Sequence, residues 1–276
     1  MEEWQNASVE SNGINIHYHR TGGIGPTLLL IHGFTDNGLC WSRVAREMQA
    51  HYDLVMLDSR GHGLSDKPHQ GYSTDDYAED VAGVIAALNL GKTTLVGHSI
   101  GATTAATVAA KYPQLVHGLI LEDPIWRDQL GQSDSASPEK KAAMVTAVRQ
   151  QIVVQQQMNT QQIETSGRES CPTWDAEEFP AWVQAKQQVS PDVAATLVSL
   201  RGDWQHTASE IQCPTLLITG NPDKDVVVSP TVVAQAQAIN PLIQHTQLAS
   251  AGHNIRRESL QPYLAAVRQF LARSLA

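Results

Sequence analysis

A chain of 276 residues can fold as one large domain or two small ones and bury a substantial core. Nineteen Lys and Arg against 28 Asp and Glu give a net charge of −9, which argues against nucleic acid or an anionic membrane surface as the main partner. Apolar residues at 42% indicate a packed globule, and the apolar runs are too short for a transmembrane helix.

Residues 15–20 alternate apolar and polar as a half-buried strand does, and Thr21-Gly22-Gly23 ends the run. Short apolar runs at 27–31, 54–57, 93–96 and 119–121, bounded by Gly, Asp or Pro, suit strands buried on both faces of a parallel sheet. Helical spacing fills the gaps at 41–49, 74–88 and 102–112, with Thr74 as the expected N-cap of the second helix. Strand and helix in alternation imply a doubly wound α/β sheet.

The pattern changes near Trp126. From there to about Thr207 no strand-like run occurs, Gln is frequent, and Ser137-Pro138 and Ser190-Pro191 each read as an N-cap followed by Pro at the first helical position. Strand-like runs return at 214–219 and 243–248, and a helix over 258–271 closes the sheet domain. The expected organisation is a core of 1–125 and 208–276 with a helical insertion at 126–207 after the sixth strand.

Gly97-His98-Ser99-Ile100-Gly101 follows a strand and precedes an Ala-rich helix. A sharp strand-to-helix turn needs small flanking residues and lifts Ser99 clear of the backbone, at the positive end of a helix. A serine hydroxyl needs a base to become a nucleophile. Of the 11 His, His253 is the best placed, in Ala251-Gly252-His253-Asn254 after the last expected strand. His98 adjoins Ser99 in sequence but must point away from it across the turn, and His62 reads as a loop residue.

His32-Gly33-Phe34, Asp58-Ser59-Arg60-Gly61-His62-Gly63-Leu64-Ser65, the Gly97 to Gly101 turn and Gly252-His253 together resemble the α/β-hydrolase fold superfamily, over nearly the whole chain. The resemblance implies that the insertion is a cap domain. It also implies an oxyanion hole formed by the backbone N–H groups of Phe34 and Ile100, two donors aimed at the charge of a tetrahedral intermediate. Serine at position 99 separates the chain from relatives with Asp there, such as haloalkane dehalogenases and epoxide hydrolases.

The third member departs from the family pattern. The loop after the seventh strand runs Gly220-Asn221-Pro222-Asp223-Lys224-Asp225-Val226-Val227, and Asp223 has the common offset from Gly220. The Val-Val-x-Pro stretch that normally follows is in better register with Asp225. Some relatives place the acid at the end of the sixth strand, where Asp123 stands. The reading prefers Asp223, with Asp123 as the alternative and Asp225 third.

Asp58 and Arg60 read as structural, bracing the loop after the fourth strand. Arg256 and Arg257 read as a charged helix start, with a substrate-carboxylate role as the lesser option. Trp126, Trp174, Phe179, Trp182 and Trp204 fall in the insertion and serve as core filling or as a pocket lining. The insertion has no cluster of Lys or Arg, which disfavours a polyanionic substrate. No phosphate loop or zinc-spaced Cys/His group occurs, so no cofactor and no metal are expected. The expected activity is hydrolysis of a small, largely apolar carboxylic ester through an acyl-enzyme, with lactone, amide or carbon–carbon bond cleavage as alternatives and a non-hydrolytic ligand receptor as a further one. The acidic start Met1-Glu2-Glu3-Trp4 lacks signal-peptide character, and Cys40, Cys171 and Cys213 fit reduced thiols, so a cytoplasmic setting is expected. The oligomeric state stays open.

Overall fold

The computed structural model describes residues 4–128, 137–199 and 203–275. Eight strands form one sheet: β1 Gln5–Ser11, β2 Ile14–Arg20, β3 Thr27–Ile31, β4 Asp53–Leu57, β5 Thr93–His98, β6 Val116–Glu122, β7 Thr215–Thr219 and β8 Ile243–Gln247. Their order is β1-β2-β4-β3-β5-β6-β7-β8, parallel from β4 to β8, with β1 and β2 antiparallel at one edge. The helices are α1 Ser42–Met48, α2 Thr74–Ala87, α3 Ile100–Lys111, α4 Pro138–Gln156, α5 Thr160–Ser170, α6 Phe179–Gln188, α7 Thr196–Ser199, α8 Trp204–Glu210, α9 Pro230–Ile239, α10 Ile255–Glu258 and α11 Leu260–Ser274.

The central strands are apolar on both faces because both are covered, and alternate residues point to opposite layers. Leu29, Ile31, Val55, Leu57, Leu95, Leu119 and Leu217 face α2, α3 and α9 through Val81, Val84, Ala105 and Val232. Leu28, Leu30, Leu54, Met56, Val96, Ile120 and Ile218 face α1 and α11 through Val44, Met48, Val267 and Phe270. The chain runs from β3 outward to β4 and then back across β3 to β5, so the strand order reverses there. Open parallel sheets bind ligands at the carboxyl ends of strands flanking such a reversal.

Several local expectations change. β1 carried no legible pattern, since Gln5–Ser11 is largely polar and exposed, yet it pairs with β2 along its full length. Ser73, one residue before the expected cap, accepts the Asp76 N–H in a reciprocal capping box at the start of α2. The Ser190-Pro191 start opens a 3₁₀ turn, Pro191–Ala195, and the closing helix is broken at Ser259 into α10 and α11.

Between β6 and β7 the described residues contain helix and turn and no strand. Ile152, Val189 and Val193 from this insertion pack on Tyr72 and Tyr77 of the sheet domain, with Phe34 against the same cluster. α8 instead packs on α3 of the sheet domain, and Trp204 stacks on fully buried Trp126 at 5.3 Å. The expected boundary at 207 therefore falls inside a helix seated on the sheet domain. No helix among the described residues is long and apolar enough to cross a membrane.

Candidate active site

Ser99 stands between β5 and α3 with φ 55° and ψ −117°, in the left-handed region that a non-glycine residue enters only when its surroundings hold it there. The surroundings are tight. A Cβ on Gly97 would lie 2.3 Å from the Gly101 carbonyl oxygen, and one on Gly101 would lie 2.3 Å from that of Ile31. The turn is tied down by the Ser99 N–H, which donates to the Glu122 carbonyl at 2.9 Å. This arrangement holds the Ser99 side chain at the carboxyl edge of the sheet, in the position the sequence pattern assigns to a nucleophile.

His253 sits in the loop after β8, partly exposed. Its Nδ1 lies 2.5 Å from Oδ2 of Asp123, a fully buried residue. Asp123 follows the last residue of β6, has φ 43°, and receives two further hydrogen bonds, from Val227 N–H to Oδ2 and from Val228 N–H to Oδ1, both at 2.9 Å. Three donors thus fill one face of a buried carboxylate and fix its orientation. With Nδ1 engaged, the free ring nitrogen of His253 is Nε2.

The preferred placement of the acid at Asp223 is not met. Asp223 is exposed at the tip of the loop after β7, where its own N–H donates to Asn221 Oδ1, and Asp225 is exposed as well. The physical reason lies in the Val-Val-Ser-Pro stretch. Its amides, which suggested an acid two residues upstream, reach across to the end of β6 and hold Asp123 instead.

The N–H of Ile100 is the first of α3 and has no acceptor within its helix. Phe34 and Ile100 line the same small cavity, about 10 Å³, together with Gly33 and Gly101, so the loop after β3 and the Ser99 turn meet as the sequence motifs imply. His32 braces this loop, its Nδ1 donating to the Gly33 carbonyl at 2.8 Å and its Nε2 accepting the Ser59 N–H at 3.0 Å. His98 does point away from Ser99. Its Nε2 donates to the His253 carbonyl at 3.1 Å, its ring lies 4.8 Å from that of His253, and burial together with the nearby Arg256 charge lowers its pKa well below the usual value.

Asp58 and Arg60 are structural, each with its own partners. Asp58 accepts from Gly38 N–H, Leu64 N–H and His17 Nδ1 at 2.7 to 2.8 Å, while Arg60 pairs with buried Asp80 at 2.6 Å. His17, His19 and Asp58 offer three ligand-type atoms within 4.8 Å of one another, but those donors already occupy the carboxylate.

Sequence reasoning missed a buried charge network beside the site. Asp36 lies 3.1 Å from Arg257, 3.5 Å from Arg256 and 3.7 Å from Lys186. Burial alone would raise the Asp36 carboxyl, but the charges of Arg257, Lys186 and Arg256 outweigh it and hold the pKa far below the usual range. Arg256 also pairs with Glu122 at 3.1 Å and Arg257 with Glu178 at 3.3 Å, while their guanidinium groups cover Trp41 and Trp174. Both arginines are therefore buried and matched by internal carboxylates, neither a solvated helix start nor free for a substrate carboxylate. Only long-range folding brings residues 36, 122, 178, 186, 256 and 257 together, so no local pattern reveals the cluster. Trp174, Phe179 and Trp182 pack on one another in tilted and edge-to-face contacts beside these cations.

A family model described as the alpha/beta hydrolase fold matches residues 26–256. N-formylmaleamate deformylase of Pseudomonas putida is 30% identical, with 96% of this chain and 95% of the relative covered. 2-(Acetamidomethylene)succinate hydrolase of Mesorhizobium japonicum is 28% identical over 91% of this chain and 90% of its own. A solved structure of E-2-(acetamidomethylene)succinate hydrolase superposes with a TM-score of 0.80 at 25% identity, covering 98% of this chain and all of that one.

Proposed function

Because the chain belongs to the alpha/beta hydrolase fold family, we propose that it is a serine hydrolase with Ser99, His253 and Asp123 as its catalytic triad and the Phe34 and Ile100 amides as its oxyanion hole. The observation that carries this reading is Ser99 on its strained turn together with a histidine whose Nδ1 is held by a buried, three-donor carboxylate.

His253 Nε2 takes the Ser99 proton as the oxygen attacks the acyl carbon. Asp123 holds the ring and stabilises the imidazolium without accepting the proton itself. The two amides receive the oxyanion, each worth roughly 3 kcal/mol to the transition state. His253 then protonates the leaving group, and afterwards deprotonates the water that releases the acid and frees Ser99. The helices between β6 and β7 act as a cap that excludes water and encloses a small substrate with a largely apolar portion.

The first reading of the bond is a carboxylic ester. A second, an N-acyl amide, is supported by the two full-length relatives, named as a deformylase and an acetamidomethylene hydrolase. The buried arginines are already paired, so recognition of an acidic substrate would fall to other residues. An organophosphonate is expected to add covalently to Ser99, read as one adduct by intact mass, and to leave Ser99→Ala unlabelled. An unlabelled wild type or a labelled Ser99→Ala would overturn the reading. Comparing kcat/KM for p-nitrophenyl acetate with that for N-formyl and N-acetyl enamides decides between ester and amide.

A further inference from the structure

Thr35 directly follows the proposed oxyanion donor Phe34 and has φ 59°, a conformation that costs a β-branched residue on the order of 1–3 kcal/mol unless something imposes it. What holds it comes from the insertion. Lys186 on α6 is buried and donates from Nζ to the Thr35 carbonyl at 3.0 Å and to Thr35 Oγ1 at 2.6 Å. The same ammonium lies 3.7 Å from Asp36 and 4.9 Å from the Trp182 ring centroid, so its position is fixed from several sides. Two residues further on, Gln188 accepts from Asn37 Nδ2 at 3.0 Å, a second tie from α6 to the same loop.

From this geometry we infer that Lys186 is a positioning residue that clamps the Thr35 backbone in its left-handed conformation and so aims the Phe34 N–H at the developing oxyanion. The inference rests on the Ser99 hydrolase reading and assigns to the insertion a task beyond covering the site. The Lys186 ammonium meets Thr35, Asp36 and the Trp182 ring. It acts through Thr35. Without the clamp the loop relaxes, the Phe34 amide turns off the line of the oxyanion, and transition-state stabilisation is lost while ground-state binding is kept. Loss of one oxyanion donor costs about 10²–10³ in rate, so a misaimed donor should cost somewhat less.

The experiment uses the full chain and a p-nitrophenyl phosphonate, whose addition to Ser99 develops charge on the oxygen held by the same two donors. Lys186→Met is expected to slow Ser99 phosphonylation and to lower kcat for p-nitrophenyl acetate by about ten- to a hundredfold, with KM within threefold of wild type. Active-site titration normalises both to folded enzyme. Thr35→Ala removes the Oγ1 acceptor together with the γ-methyl, leaves the Lys186 bond to the carbonyl, and is expected to reproduce a smaller loss of the same kind, about fivefold. It carries the test should Lys186→Met fail to fold. Wild-type phosphonylation rates in a folded Lys186→Met, a loss confined to KM, or Thr35→Ala within twofold of wild type would each overturn the inference. Failure of the wild type to be labelled at all would strike the Ser99 reading instead, so the two failures are distinct.

Discussion

At the residue scale, Asp123 illustrates how a carboxylate acquires its role from what surrounds it. The side chain is buried, receives two amides, and meets His253 Nδ1 at 2.5 Å, whereas Asp223 is exposed in the loop after β7. Asp123→Asn keeps the shape but can hold the wrong imidazole tautomer, and a drop of about 10⁴ in kcat is expected, with Asp223→Asn within twofold of wild type. Steady-state rates with p-nitrophenyl acetate check both. The proposed nucleophile and base, Ser99 and His253, were legible because their motifs are short and local. The proposed acid was not, because the choice depends on which carboxylate the amides after β7 can reach, and that distance is three-dimensional.

At the scale of elements, the turn between β5 and α3 is over-determined by close approach. Gly101 lies against the Ile31 carbonyl so closely that a methyl group has no room, and the strand of that carbonyl is central to the sheet and cannot yield. Gly101→Ala should therefore displace the start of α3, lower stability by about 1–3 kcal/mol and reduce phosphonate labelling of Ser99 more than the change in melting temperature alone explains. Urea unfolding and labelling rate measure the two separately. The buried central strands and the Ala-rich α3 could be read from apolar runs and Gly boundaries, since their neighbours impose a uniform environment. The edge strand β1 was unreadable for the opposite reason. Most of its side chains are polar and exposed, with only Ala7 and Val9 packed against the core, so the backbone ladder to β2, to which sequence pattern is blind, defines it.

At the scale of the whole molecule, the protein stores neutral histidines in its interior. Burial, reinforced by neighbouring His32, lowers the pKa of His62 to about 3, and burial also depresses His32 and His98. In the unfolded chain each returns to about 6.5, so below that value the unfolded state binds protons that the folded state refuses. Stability therefore falls as pH drops from 6.5 towards 3, by about 2 kcal/mol at pH 5 for His62 alone. Chemical denaturation between pH 7 and 4 should show this loss, and His62→Asn should reduce the slope by about one proton. A slope unchanged by that substitution would mean that His62 is protonated in the folded state. Charge composition signalled none of this, because the −9 total counts every histidine as neutral and every buried pair as cancelled.

The supports of the site also come from different parts of the chain. Asp123 is gripped by Val227, Val228 and His253, and its own N–H donates to the Ile218 carbonyl, all of them in the sheet domain. The loop carrying Phe34, by contrast, is braced by Lys186 and Gln188 from the insertion. A chimera that exchanges the helices between β6 and β7 with those of a relative would keep Ser99, His253, Asp123 and the Phe34 and Ile100 amides from the host, and take from the donor only the ties that Lys186 and Gln188 make to the Phe34 loop. Such grafts should separate the aim of the Phe34 amide from the proton transfer proposed for His253, and they give evolution a way to retune turnover by exchanging the helices between β6 and β7 while the proposed triad stays untouched.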